Sequence, residues 1–284
     1  IVLHCLVAIL RIYCKQKDIK QPLWIIIVRD KSAGFIGLIT VSLFVASAVS
    51  SFHNKCEMVQ MFSLKTIGSV EHELTTSDCA VFYTPVYRLI FSLYANHLAS
   101  QQVDRLVEAK DRASVQSCAF NTKNIVLIIG ESLGRHHSQQ YGYFMKTTPR
   151  QIALEKAGNL IPFTDVVAPW NLTSFVFKNI FSMHVVGQKG EWCDYPLFPQ
   201  LFRKAGYHVS FITNQFLPQA KEAVYDFSGG FFLNNKELSK SMFDTRNTRL
   251  HTYDEGLLAD YDNRLKAENR EYNLIIFHLI GCHV

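Results

Sequence analysis

The sequence predicts an α/β protein: a mostly parallel sheet sandwiched by helices, preceded by transmembrane helices. Three observations predict this. Residues 33–52, "AGFIGLITVSLFVASAVSSF", carry no charge over a length that as a helix crosses the hydrocarbon core of a bilayer. From residue 121 onward, short apolar runs alternate with helix-like stretches, the pattern of strands joined by helical crossovers. Two of those runs, "IVLIIG" at 125–130 and "YNLIIFHLIG" at 272–281, end in glycine and lead straight into residues able to do chemistry.

The chain opens at Ile1 with "IVLHCLVAIL", apolar but too short to span, and we read residues 1–13 as the tail of another spanning helix. Arg11, Lys15, Lys17, Lys20, Arg29 and Lys31 face only Asp18 and Asp30, so most of the total charge of +5 sits in this one loop. A basic loop between apolar segments marks the cytoplasmic side, so 33–52 carries the chain outward. The same localisation of charge argues against nucleic acid as a partner. A signal peptide is disfavoured, because the charges follow the first apolar run. A buried core helix is the competing reading of 33–52. The apolar content of 48% is high for a soluble chain. Seven cysteines, at 5, 14, 56, 79, 118, 193 and 282, contain no Cys-x-x-Cys pair and so no zinc-knuckle spacing. Five of them fall on the exported side, where disulfides form, and no pairing follows from the sequence.

Three segments result: a membrane region at 1–55, a connector at 56–120, and a catalytic-type domain at 121–284. In the connector, Thr84 and Pro85 are a good N-cap and first helical residue. Val86, Leu89, Ile90, Leu93 and Tyr94 then form one apolar stripe, fit for a membrane surface or for a core. The second half of this helix, from Gln101, is polar and charged and reads as a connector. Beyond 121, "IVLIIG" is a buried strand, and "TTPRQIALEKAG" is a short helix ending at Gly158. "PLFPQLFRKAG" is a helix ending at Gly206 that turns directly into the strand "YHVSFIT". "YDEGLLADYDNRLKAE" is helical and precedes the last strand.

Sites in open parallel sheets form beyond the C-terminal ends of the strands. Glu131 stands there after the first strand, and Gly281, Cys282 and His283 follow the last. A carboxylate and an imidazole delivered to one edge suit a metal or phosphate site, although a glutamate after a strand is also an ordinary loop residue.

The surrounding residues narrow this. "GESLGRHHSQQYGYFMKTTP" resembles the Gly-Glu-Ser/Thr-x-x-Arg-x-His…Tyr-Gly-Tyr…Thr-Thr-Pro opening of the bacterial phosphoethanolamine transferases, which are membrane-anchored members of the sulfatase and alkaline-phosphatase superfamily. "PFTDVVAPWNLTSFVFKNIFS" is similar to that family's nucleophile segment, and "YDEGLL" and "HLIGCHV" are similar to its Asp-Glu-x-Leu-Leu and His-x-x-Gly-Ser-His-Gly elements. The resemblance runs in order from 125 to 284. It implies an alkaline-phosphatase-like fold on the periplasmic side of the bacterial inner membrane. It further implies transfer of phosphoethanolamine from phosphatidylethanolamine to an envelope glycolipid or glycan through a phospho-threonine.

By that resemblance Thr173 is the nucleophile, Glu131 and Thr173 are zinc ligands, His283 lies beside the transferred phosphoryl group, and Lys221 lies near the position of a phosphate-contacting lysine. Arg135 and His137 match the family's Arg and His, in structural or chemical roles. A metal ion that lowers the hydroxyl pKa, or a base that takes the proton, makes a threonine hydroxyl a competent nucleophile. Thr173 also precedes a helix-like stretch, 174–183, whose N–H groups suit phosphate. Thr173 read without the family is an N-cap, and Asn171-Leu172-Thr173 is formally a glycosylation sequon. His278 reads as a core histidine.

Two departures stand out. Cys282 replaces the family's serine, and the family's later Asp-His pair occurs nowhere in the sequence. The sequence therefore looks truncated at both ends, with the remaining Asp and His zinc ligands expected beyond Val284. A non-catalytic membrane-anchored remnant is the alternative function. A sulfatase or phosphodiesterase is less favoured, because sulfatase chemistry needs Cys/Ser-x-Pro-x-Arg where residues 173–178 are Thr-Ser-Phe-Val-Phe-Lys.

Overall fold

A computed structural model describes residues 31–76, 85–170, 173–217 and 230–281. The expected first spanning segment (1–13), the N-cap Thr84, and Lys221, Cys282 and His283 lie outside the described residues. The chain divides into two units, one made of 1–63 with 77–88, the other of 64–76 with 89–284.

In the first unit, α1 (Lys31–Ser50) and α2 (Phe52–Met61) follow one another across Ser51. The sequence predicts one uninterrupted span over 33–52. Instead no single described helix is long and apolar enough to cross a membrane, but Phe35–Ser50 and Phe52–Met61, bent by 53°, pass that test together. At the bend the Ser50 and Ser51 hydroxyls both bond the Ser47 carbonyl in addition to the Ser51 N–H, the back-bonding that bends helices. Phe35, Leu38, Val41, Phe44 and Val49 all stand exposed along α1.

The second unit contains α3 (Ile67–Thr76), most of α4 (Pro85–Arg112) and a four-stranded sheet. Helix α4 runs continuously from Pro85 to Arg112, through both the apolar and the polar half of that segment. Its buried face is Phe91, Ala95, Leu98, Ala99 and Leu106, whereas Leu89, Ile90 and Leu93 of the predicted stripe remain exposed. The polar half beyond Gln101, read from the sequence as a connector, is helical throughout. Val103, Leu106 and Ala109 are buried there, and Arg105 forms ion pairs with Glu191 and Asp194.

The strands are β1 (Asn124–Ile129), β2 (His208–Thr213), β3 (Thr245–Arg246) and β4 (Asn273–His278), all parallel, in the order β1-β4-β2-β3. Between them lie α5 (Pro149–Lys156), α6 (Thr173–Phe181), α7 (Phe198–Lys204), α8 (Gly230–Asn234), α9 (Lys236–Met242) and α10 (Glu255–Asn263). The predicted stops hold: Gly158 and Gly206 adopt φ of +72° and +102°, the left-handed conformation that ends helices at glycine. The two-residue strand β3 and helices α8 and α9 carry no periodic signal and were not expected from the sequence.

One face of the sheet packs Val209, Phe211, Leu274 and Ile276 against Phe177, Phe181, Leu238 and Met242, with Leu106 of α4. The other packs Ile212, Ile275 and Phe277 against Leu257 and Leu265. The sandwich is therefore complete over β2 and β4. It is incomplete over β1, where Val126 and Ile128 are exposed while Ile125, Leu127 and Ile129 face the core. Among the described residues β1 is an edge strand, so the fully buried strand predicted there is buried on one side only.

Candidate functional site

The register brings three strand ends level. Ile129 of β1 and Thr213 of β2 both pair with His278 of β4. Two residues beyond that row come Glu131, Gln215 and Ile280, at the C-terminal edge where parallel sheets place their ligands.

Glu131 and Thr173, 42 positions apart, meet there. The Thr173 hydroxyl donates to Glu131 Oε2 at 2.9 Å. Gln215 Nε2 donates to the same oxygen at 3.0 Å, and Ser132 Oγ donates to Oε1 at 3.1 Å. Burial pushes the Glu131 carboxyl up, but the bonds from Gln215, Thr173 and Ser132 outweigh it and hold the group below its usual range. It is an anion at neutral pH. Ser132 itself sits at φ +51°, a left-handed conformation that costs a non-glycine residue about 1 kcal/mol or more and that clusters at functional sites. Thr173 is the first residue of α6, so the free N–H groups of that helix start beside its hydroxyl.

His278 is fully buried, as expected of a core histidine. Nδ1 pairs with Thr213 Oγ1 at 3.0 Å, Nε2 has no protein partner, and Phe216 stacks on the ring. Burial drives its pKa down to about 4 against the upward pull of Glu131 and Asp254, leaving it neutral. Arg135 lies over the Tyr141 ring, and His137 meets Tyr143 edge-on, so both support the loop after Glu131. Cys56, Cys118 and Cys193 are free.

Sequence reasoning missed Gln215 and undervalued Asp254. Gln215 follows β2 as Glu131 follows β1, and the strand-end rule applied to the second strand would have found it. Asp254 occupies the N-cap position of α10 without capping it. Its Oδ1 accepts from Ile280 N at 2.9 Å and Asn214 Nδ2 at 3.1 Å, and its Oδ2 accepts from Gly281 N at 2.8 Å. Gly256 two residues on is required by space, since a Cβ there would meet the His251 ring at 2.2 Å.

Among the described residues no group of three or more His, Cys, Asp or Glu could hold a metal ion. Glu131 and Thr173 fit as two oxygen donors of such a site. Asp254 holds both its oxygens against the N–H donors of Asn214, Ile280 and Gly281, which fastens the chain leaving β4.

The sequence profile of the family described as Sulfatase matches residues 123–284. The phosphoethanolamine transferase EptC of Escherichia coli O18:K1:H7 is 28% identical over 163 residues, which cover 57% of this chain and 27% of that protein. The phosphoethanolamine transferase EptA of Helicobacter pylori is 28% identical over 159 residues, covering 56% and 28%. The chain thus spans 27–28% of the length of these curated relatives. The soluble domain of lipooligosaccharide phosphoethanolamine transferase A from Neisseria meningitidis aligns with a TM-score of 0.44 at 19% identity, over 62% of this chain and 50% of that one.

Proposed function

The chain belongs to the sulfatase family, and on that premise we propose that it is, or is part of, a phosphoethanolamine transferase acting through Thr173. The observation that carries the reading is the 2.9 Å hydrogen bond joining Thr173 to Glu131. It fixes the hydroxyl proton on a carboxylate and leaves the oxygen free to approach phosphorus. Attack by Thr173 Oγ1 on the phosphorus of phosphatidylethanolamine forms the threonine–phosphorus bond and breaks the bond to the glycerol oxygen, which leaves with a proton as diacylglycerol. An acceptor hydroxyl on an envelope glycolipid or glycan then attacks the same phosphorus, and Thr173 is released. The N–H groups opening α6 suit the phosphoryl oxygens. Zinc held by Glu131 and Thr173, with further ligands from outside the described residues, would supply the positive charge that favours a threonine alkoxide. His283 and Lys221 belong to this proposal as phosphate-side residues. So do the three-segment division at 55 and 120 and the placement of 121–284 outside the cytoplasmic membrane. The basic loop supports that topology, and a periplasm-dependent reporter fused after Lys55 tests it: a silent reporter reverses the orientation.

The chemistry is tested by diacylglycerol release from phosphatidylethanolamine in mixed micelles. Thr173→Ser retains measurable release, and release by Thr173→Ala at the parental rate would end the reading.

A further inference from the structure

Glu131 owes its orientation to a residue that the transfer reaction itself does not use. Gln215 presents both N–H groups of one amide nitrogen to two acceptors: Glu131 Oε2 at 3.0 Å and the Leu279 carbonyl at 2.8 Å. It therefore ties the carboxylate beyond β1 to the backbone leaving β4. The turn that carries Gln215 is itself fastened. Thr213 Oγ1 accepts from the N–H groups of Gln215 and Phe216 at 3.2 and 3.3 Å. Arg246 donates to the Phe216 carbonyl at 2.7 Å, and the Asn214 side chain bridges Asp254 and the His251 N–H. Asp254 grips the next two residues of the β4 exit, Ile280 and Gly281. A carboxylate oxygen held by a donor that is itself anchored is preorganised and has no need to reorient during reaction.

We propose that Gln215 is a positioning residue, which locks the Glu131 carboxylate against the end of β4 in the orientation that receives the Thr173 hydroxyl. The inference rests on the transferase reading for its catalytic consequence but not for the lock itself. Hydrogen-bond partners behind a ligating carboxylate typically cost about 10–100-fold when removed. Gln215 touches no substrate in this scheme, so its loss lowers the rate of transfer and not the apparent affinity for lipid.

The test has two arms in the full chain. In the first, the side-chain amide resonances of Gln215 are followed by nitrogen-15 NMR. Glu131→Ala shifts them and speeds their hydrogen exchange. In the second, phosphatidylethanolamine in mixed micelles is the probe, and modification of Thr173 is timed in a single turnover. Gln215→Leu, which keeps volume and removes both donors, slows modification about 10–100-fold at an unchanged half-saturating lipid concentration. It causes no further loss in a Glu131→Ala background. Parental rates in Gln215→Leu, or an effect on half-saturation alone, overturn the proposal. A parent chain that is never modified removes the transferase reading instead, and the first arm then decides. Gln215 resonances indifferent to Glu131→Ala would show that no lock exists.

Discussion

The two ends of the same sheet handle charge in opposite ways. At the N-terminal edge Asp244 answers to a base: it pairs with Arg203 at 2.6 Å and also accepts the Val209 N–H, while Lys204 caps the Lys110 and Ala113 carbonyls at the end of α4. At the C-terminal edge, Glu131 accepts from two hydroxyls and an amide, and Asp254 from two backbone N–H groups and an amide. No lysine or arginine among the described residues pairs with either. Carboxylates held by neutral donors keep their negative charge available to a cation, whereas paired ones have spent it. This contrast supports the reading of the C-terminal edge as the site. It also separates residues that serve chemistry from residues that serve stability.

That separation can be broken by measurement. The largest effect belongs to Thr173→Ala, which should cut diacylglycerol release by several orders of magnitude with little change in unfolding free energy. Glu131→Ala follows, lowering release and zinc uptake together, since one anionic ligand is lost. Unchanged zinc uptake would return Glu131 to the status of a loop residue. His278 gives the next effect, on stability alone. Its folded pKa of about 4 lies below the ordinary 6.5, so the unfolded chain takes up a proton that the fold refuses. Stability is full above about pH 6.5 and is lost as pH falls towards about 4, by roughly 3 kcal/mol in all. Urea titrations across that window check it, and His278→Phe flattens this part of the profile. Smallest is Arg203→Ala at the opposite edge. Its half-exposed pair is screened by solvent, so the cost is at most about 1 kcal/mol, with release unchanged. A loss of release there as large as that of Glu131→Ala would erase the distinction between the edges.

The sequence made the three six-residue strands, the helix stops and the Glu131–Thr173 pairing legible because each has a local signature: an apolar run, a terminal glycine, a motif. The bend at Ser51 was illegible, since hydropathy averages over Ser47, Ser50 and Ser51, whose back-bonding to the Ser47 carbonyl accompanies it. The stripe of α4 stayed open between a membrane surface and the core because Leu89, Ile90 and Leu93 are as apolar as Phe91, Ala95 and Leu98, and only tertiary contacts choose which face is buried. Exposure of Val126 and Ile128 depends on the position of β1 at the sheet edge, which no local pattern encodes. Gln215 was missed for a different reason: a glutamine has no distinctive spacing, and its role lies in two acceptors, at 131 and 279, distant in sequence.

The central claim is that Thr173 carries the phosphoryl group. Its most direct test is to quench the chain with phosphatidylethanolamine in mid-turnover and sequence the modified peptides by mass spectrometry. The account predicts one added phosphoethanolamine on the peptide containing "WNLTSF", with fragment ions assigning it to Thr173 and not to Ser174, and its absence in Thr173→Ala. A modification on any other residue, or full release of diacylglycerol with Thr173 never modified, would contradict it.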